Sequence, residues 1–272
     1  MLLFLVSVGL SITLGVMHFV NLAHGAFALV GGFAAGLLMQ RTGMGFFPAA
    51  ASAFFVAALV GCIAERGLFR RFYRSGPLAQ VLVSIGVVFL TVGAATIAFG
   101  PAMQPFQLPP FLQGSLSIDG YELGRYRLML VCCGVLIYLG LTGVLKTRLG
   151  AMVRACVDNQ RVSAALGLPV DAVFMFTFAL GCGLAGLGGA LGLGMLGMDA
   201  AFPFKYMIHF LMVVCVGGAG TISGPFLAAL LIGIVDVGGK YYVPQFGGFL
   251  IYAFMVAVLL LRPNGLIPRK GL

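Results

Sequence analysis

The chain has 272 residues, of which 61% are hydrophobic and 8% charged, and its formal net charge is +9. Soluble domains carry about a quarter charged residues, so this composition excludes a soluble globular enzyme and leaves almost nothing for a soluble domain. A mean hydropathy of +1.11 instead predicts a polytopic α-helical membrane protein, since a spanning helix needs about 20 mostly apolar residues and a β-barrel would alternate polar and apolar positions.

The Lys and Arg residues fall in a few loops, as residues that set membrane topology do. No basic stripe with interleaved aromatics is present, so no nucleic acid is expected as a partner. The six cysteines form no CxxC pair, and all but Cys156 lie in apolar runs. They read as small buried hydrophobes, not as a disulfide framework or a metal site.

In chain order, the first apolar run covers residues 1–20 and has no positively charged start, so it reads as a retained membrane helix and not a signal peptide. A short polar break follows, with His18, Asn21 and His24, before a second run at 26–39. Such residues at membrane depth are expensive. They favour a tight turn whose side chains cap exposed backbone groups; the alternative is a broken helix beside a solute pathway. Residues 46–64 span back to an Arg-rich loop at 65–77, predicted to be cytoplasmic. Residues 78–99 form the fourth run, with small faces for close helix packing. The long loop at 100–127 holds several prolines and is predicted to be external, and SLSIDGYELG within it predicts a small hairpin. Residues 128–145 span inward.

Residues 146–169, KTRLGAMVRACVDNQRVSAALGLP, form a short polar block between two membrane-length runs. The pattern predicts one helix over 151–166, preceded by Gly150, closed by Gly167 and stopped by Pro169. Arg154, Asp158 and Arg161 are spaced to share a face and pair. The block reads either as a handle for a cytoplasmic partner or as a plain interfacial amphipathic helix. The run at 172–194 is the most glycine-rich. The run at 206–216 is too short to cross comfortably and leads into GGAGTISGP at 217–225. That stretch lacks the GK[ST] ending of a phosphate loop, so a broken or re-entrant element is expected. Residues 226–239 span outward, with Asp236 read as interfacial in preference to an ion-coupling carboxylate. Residues 247–261 return to a basic tail. The expected fold is therefore an all-α integral membrane protein with 8–9 transmembrane elements, some short or broken. It forms a single domain over 1–272, N-terminus outside and C-terminus cytoplasmic.

Taken together, these segments resemble the permease subunits of ATP-binding-cassette importers for branched-chain amino acids, most closely the smaller permease type. The resemblance rests on NLAHG at 21–25, the Glu65-Arg66 pair, GPL at 76–78, LVSIG at 82–86, GAMVRA at 150–155, ALGL at 165–168, TFALG at 177–181, GGAGTISGP at 217–225 and RPNGL at 262–266, all in order. The chain departs from the pattern at His209, where many relatives carry Lys, and at Ser223, which replaces a proline. Its start is also shorter than in many relatives.

The resemblance implies an importer permease that makes no covalent change and binds no cofactor. Two cytoplasmic ATPase subunits, carrying ATP and Mg, would grip the polar block through Arg154, Asp158, Arg161, Leu166 and Gly167. A second homologous permease would complete the path, and an external or periplasmic solute-binding protein would deliver the solute across a bacterial inner membrane. Leucine, isoleucine, valine or a related small polar solute is expected. Asn21, His24, Gly217, Gly218, Gly220 and Ser223 are the path candidates. The rival readings are a stand-alone secondary transporter or channel, and a membrane-embedded enzyme. The first would need intramembrane acids, and the second a convergent catalytic set; the sequence offers little of either.

Overall fold

The computed structural model describes all residues except 18, 20, 74, 104, 105, 107, 119, 120 and 268–272. The helices are α1 Leu2–Met17, α2 His24–Thr42, α3 Phe46–Gly67, α4 Pro77–Phe99, α5 Arg125–Leu145, α6 Arg148–Asp158, α7 Gln160–Ala165, α8 Val170–Leu196, α9 Phe202–Gly217, α10 Ser223–Tyr242 and α11 Gly247–Leu261. Among the described residues, 6 helical segments are long and apolar enough to cross a membrane: those at 46–67, 77–99, 125–145, 170–196, 223–242 and 244–261. The apolar helices α1 and α9 have 16 residues each. At 1.5 Å per residue such a helix rises about 24 Å, short of a hydrocarbon core of about 30 Å.

The bundle is built around α8, which packs against α1, α2 and α3. In lipid, apolar burial between helices gains little over contact with acyl chains, so close packing has to hold them together. Small residues supply that approach. A Cβ on Gly31 would meet the Gly186 backbone, and one on Gly189 would meet the Ala28 carbonyl. By contrast α4 and α11 bury little of themselves. Leu82, Leu90 and Ile97 of α4 and Phe249, Leu260 and Leu261 of α11 are exposed, which suits contact with acyl chains.

One end of the bundle gathers the break between α1 and α2, the α3–α4 turn, the α5–α8 connection and the α9–α10 junction. Phe19 meets Phe69 and Tyr73 there, at ring-centroid distances of 5.4 and 5.6 Å, and Arg70 pairs with Asp171 at the start of α8. The other end joins α2 to α3, α4 to α5, α8 to α9 and α10 to α11. There Tyr126 of α5 donates to the Leu191 carbonyl (2.6 Å) and accepts from the Gly194 N–H (3.2 Å), tying α5 to the end of α8. The hairpin expected at 115–124 forms: β1 Ser115–Ile118 pairs antiparallel with β2 Tyr121–Gly124, with Leu116 opposite Leu123.

Two expectations are corrected. The segment at 65–77 is not simply a loop. Glu65, Arg66 and Gly67 complete α3, and Phe69–Phe72 form a 3-10 turn in which Phe69 is fully buried against Phe19 and Phe178. Glu65 is also buried and accepts from the Tyr73 hydroxyl at 2.9 Å. Burial, and then the charge of Glu65, pushes the Tyr73 hydroxyl well above the ordinary phenol range, so Tyr73 remains a neutral donor.

The second correction concerns the polar block, which holds two helices instead of one. Asn159 takes an extended conformation (φ −154°, ψ 99°), and its side-chain oxygen accepts from the Val162 N–H at 3.1 Å. It caps α7 and so ends α6. Gly150 lies inside α6, close beneath Leu145, and does not precede the helix. The expected stop is present: Gly167 has φ +81°, with Leu168 N–H on the Ser163 carbonyl and Gly167 N–H on that of Ala164, both at 3.0 Å. This pair of bonds is the Schellman closure that a left-handed glycine permits.

Candidate transport and coupling sites

The break between α1 and α2 is a discontinuity inside the bundle, and two of the expected path residues lie in it. Asn21 is completely buried, and its Oδ1 accepts the Ala23 N–H at 3.0 Å, a local turn that leads into α2. His24, the first residue of α2, is 1% exposed. Among the described residues, no hydrogen bond of ordinary geometry reaches the Asn21 Nδ2 or the His24 ring, although the Val6 backbone stands within hydrogen-bonding reach of that ring. Groups of this kind are costly to bury unmatched. His18, named with them, lies outside the described residues.

The glycine-rich junction between α9 and α10 is a packed lock. Gly218 and Gly220 take φ of +97° and +82°. The Gly220 N–H donates to the Ser11 carbonyl (3.1 Å), and Ser11 Oγ donates to the Thr221 carbonyl (2.9 Å). Thr221 Oγ1 donates to the Gly218 carbonyl (3.1 Å) and accepts the Gly224 N–H (3.2 Å). From below, the chain after α11 folds back: Leu266 N–H reaches the Val216 carbonyl at 2.8 Å and Ile267 N–H that of Gly217 at 3.2 Å. Ser223 shares a hydrogen bond of 3.1 Å with the Tyr138 hydroxyl of α5. A Cβ on Gly217 would meet Gly224 and Pro225 of α10, and one on Gly218 the tail at Ile267, while on the α1 side it is Gly15 whose Cβ would meet the Gly220 backbone. Gly217, Gly218, Gly220 and Ser223 therefore share one junction, while His24 sits higher on α1, beside Val6. The structure brings both groups against α1 but does not merge them.

A third feature was not legible in the sequence. Arg127, Tyr206, His209, Asp236, Lys240 and Tyr252 come from α5, α9, α10 and α11, yet they line one cavity of about 650 Å³. Asp236, expected to be interfacial, pairs with Lys240 at 2.7 Å on the last turns of α10. No spacing along the chain links these residues. Only the i, i+4 pair of Asp236 and Lys240 is local.

The polar block lies at the end of the bundle opposite that cavity. Helix α6 packs on α1, α5 and α8, burying Cys156, and Ser163 of α7 is buried as well. Arg154 turns back to donate to the Leu145 carbonyl, an orphan acceptor at the end of α5. The break at Asn159 places Arg154 and Asp158 in α6 and Arg161 in α7, so the three do not lie on one continuous helix. Leu149, Val162 and Leu166 are 51%, 52% and 76% exposed. Beside α7 a cleft of about 580 Å³ runs between the end of α3 and the start of α8, lined by Glu65, Arg66, Arg70, Leu168 and Asp171.

Several membrane-length apolar helices packed around a central span, with a structured polar block at one end, define a polytopic α-helical membrane protein. The chain belongs to the family described as branched-chain amino acid transport system, permease component, which it matches over residues 1–259. It is 25% identical over 283 residues to the high-affinity branched-chain amino acid transport system permease protein BraD of Pseudomonas aeruginosa, covering 97% of this chain and 91% of that protein. It is 24% identical over 288 residues to the permease protein LivH of Escherichia coli K12, with the same coverage. To the permease protein LivM of that organism it is 23% identical over 292 residues, covering 98% of this chain and 68% of LivM. No solved structure matches the chain.

Proposed function

We propose that this chain is the membrane-embedded permease subunit of an ATP-binding-cassette importer for branched-chain amino acids in a bacterial cytoplasmic membrane. The observation that carries the reading is a family match over residues 1–259 combined with a structured polar block that exposes apolar side chains at one end of the bundle. A second permease completes the path, as the likeness to both LivH and LivM of one organism suggests. Two ATPases dock on α6 and α7, and an external solute-binding protein supplies the substrate. ATP and Mg stay on the ATPases, and this chain carries no cofactor.

The finer topology is part of the proposal. Helices α1–α5 and α8–α11 make nine crossings, with the N-terminus outside and the C-terminus inside. Charge supports this orientation. Among the described residues, Arg66, Arg70, Arg71, Lys146, Arg148, Arg154, Arg161 and Arg262 gather at the end that bears α6 and α7, against Arg41, Arg125, Arg127, Lys205 and Lys240 at the other. Such an excess marks the cytoplasmic side.

Purification of the tagged chain from its membrane in mild detergent is expected to bring down a pair of ATPases and a second permease. A stable chain alone, with uptake that ignores ATP, would make it a stand-alone transporter or channel instead. The break at His24 is proposed as part of the moving path. His24→Leu is expected to change thermal stability by no more than about 1 kcal/mol, because the buried imidazole it removes has only the Val6 backbone as a polar neighbour. It should reduce ATP-driven uptake at least about tenfold, roughly 1.4 kcal/mol of coupling. Unchanged uptake kinetics would assign His24 to packing alone.

A further inference from the structure

Helix α5 runs directly into the polar block: it ends at Leu145, α6 begins at Arg148, and the Arg154 side chain holds the Leu145 carbonyl. Its attachment to the rest of the bundle is sparse. It packs on α1, α6 and the hairpin, Leu136 and Leu139 are exposed, and a Cβ on Gly140 or Gly143 would meet nothing within 4 Å. Two phenols tie it down. Tyr126, buried at the end away from the polar block, donates to the Leu191 carbonyl and accepts the Gly194 N–H of α8. Tyr138 stands about 18 Å further along the helix, and its hydroxyl shares a bond of 3.1 Å with Ser223 Oγ, at the start of α10. Beside that bond the Tyr138 ring stacks on Phe226 of α10, with centroids 4.3 Å apart, and Phe4 of α1 meets Phe226 edge-on at 5.3 Å. The three rings stand beneath the cavity of about 650 Å³. Leu2 of α1, Leu130 of α5 and Ala229 of α10 line that cavity, and Phe4, Tyr138 and Phe226 follow on the same helices within about two turns, toward the polar block.

We propose that Tyr138 and Ser223 are the latch that closes this cavity toward the polar block, and that α5 swings about Tyr126 to release it when the ATPases move α6. The proposal rests on the importer reading above and adds which side chains of this chain hold the path shut. The bond suits a contact made and broken in every cycle. Both groups are hydroxyls, so parting them strands no charge in the membrane. A neutral hydrogen bond shifts an equilibrium by about tenfold at most, which a movement driven by ATP can reverse. Polar groups left unmatched in lipid are costly, so the parted hydroxyls need water, and a seam opened between α5 and α10 admits it. Tyr126 differs in making two bonds to one helix from a buried site, so it holds as the pivot while the single bond at Tyr138 gives way. The bond is directional as well, and it fixes where α5 stops on its return. A proline at 223, the residue that Ser223 replaces, could make no such bond, so the latch belongs to chains with a hydroxyl at this position.

The test follows a reporter cysteine in the cavity of the assembled complex. Gly233 lines the cavity, and a side chain added there meets nothing within 4 Å. Gly233→Cys is placed in a chain whose six native cysteines are replaced by Ala, and its labelling by a membrane-impermeant maleimide is timed in inside-out vesicles, with the polar block facing the reagent. Tyr138→Phe, which keeps the ring stack, and Ser223→Ala should each speed labelling at least about threefold. The double variant should be no faster than the faster single, because both changes remove one bond. A residue that served packing alone would leave these rates at the parental value. The second measurement needs no cysteine: in lipid nanodiscs without the solute-binding protein, ATP hydrolysis by the complex with native cysteines should rise at least about threefold in either variant, while its melting temperature stays parental. Parental labelling and parental hydrolysis in both variants, or effects that add in the double variant, would overturn the latch. ATP-driven uptake by the unaltered complex decides the importer reading separately, so a complex that imports solute yet shows no release in either variant rejects the latch alone.

Discussion

Gly189→Val is expected to abolish accumulation of the folded permease. A Cβ at this position would stand 2.7 Å from the Ala28 carbonyl carbon and 3.1 Å from its Cα. Both are backbone atoms inside α2, so no side chain can turn away to make room. Overpacking a core ordinarily costs about 1–3 kcal/mol, and a clash of backbone against Cβ belongs at or above the top of that range. The approach is also doubled one turn away, where Gly31 meets Gly186, so α2 cannot slide to relieve it. Loss of α2 packing would displace His24 as well. The matched control is Gly86→Val on α4, where an added Cβ meets nothing within 4 Å. Fluorescence-detected size exclusion after heating checks both: Gly86→Val should melt like the parent, and Gly189→Val should give no monodisperse peak. A parental melting temperature for Gly189→Val would refute the packing assigned to α2 and α8.

The second large effect is expected at the polar block. Leu166→Glu combined with Arg161→Glu should sever ATPase association while the chain still inserts. Leu166 is 76% exposed in a structured turn, and Arg161 has no partner among the described residues, so neither supports the fold. An exposed leucine fixed by a Schellman closure suits an anchor in a partner pocket, and central anchors are worth about 2 kcal/mol or more each. ATP-driven uptake should fall more than about tenfold. Arg154→Gln should act differently. Its guanidinium holds the Leu145 carbonyl at an exposed site, where water can take its place, so its loss costs the α5–α6 corner no more than about 1 kcal/mol and leaves association intact. Pull-down of the ATPases alongside thermal melts separates the two. Full association by the Leu166/Arg161 variant would move the docking surface elsewhere, with the cleft between Arg70 and Asp171 the next place to probe.

Hydropathy and motif order were enough to define the class. Long apolar runs can only be spanning helices, because backbone groups in lipid must bond internally. The ordered motifs assigned those helices to a permease family, and local signals found the hairpin at 115–124 and the glycine closure at 167. Signals of this kind act within a few residues and need no knowledge of neighbours. Where tertiary contact decided, the sequence reading stopped short. Asn159 broke the polar block because a capping side chain could be satisfied there, while Cys156 and Ser163 found burial on either side of it. Phe69 turned an apparent loop into packed structure by meeting Phe19 and Phe178. The glycines at 217–220, read as a path candidate, proved to be committed to Ser11 and to the tail, through bonds to residues roughly 50 and 200 positions away. The cavity that joins Arg127, His209 and Asp236 was decided by helix packing alone. Membrane helices meet through shape over many small residues, and that complementarity leaves no periodic mark from which to read which faces will meet.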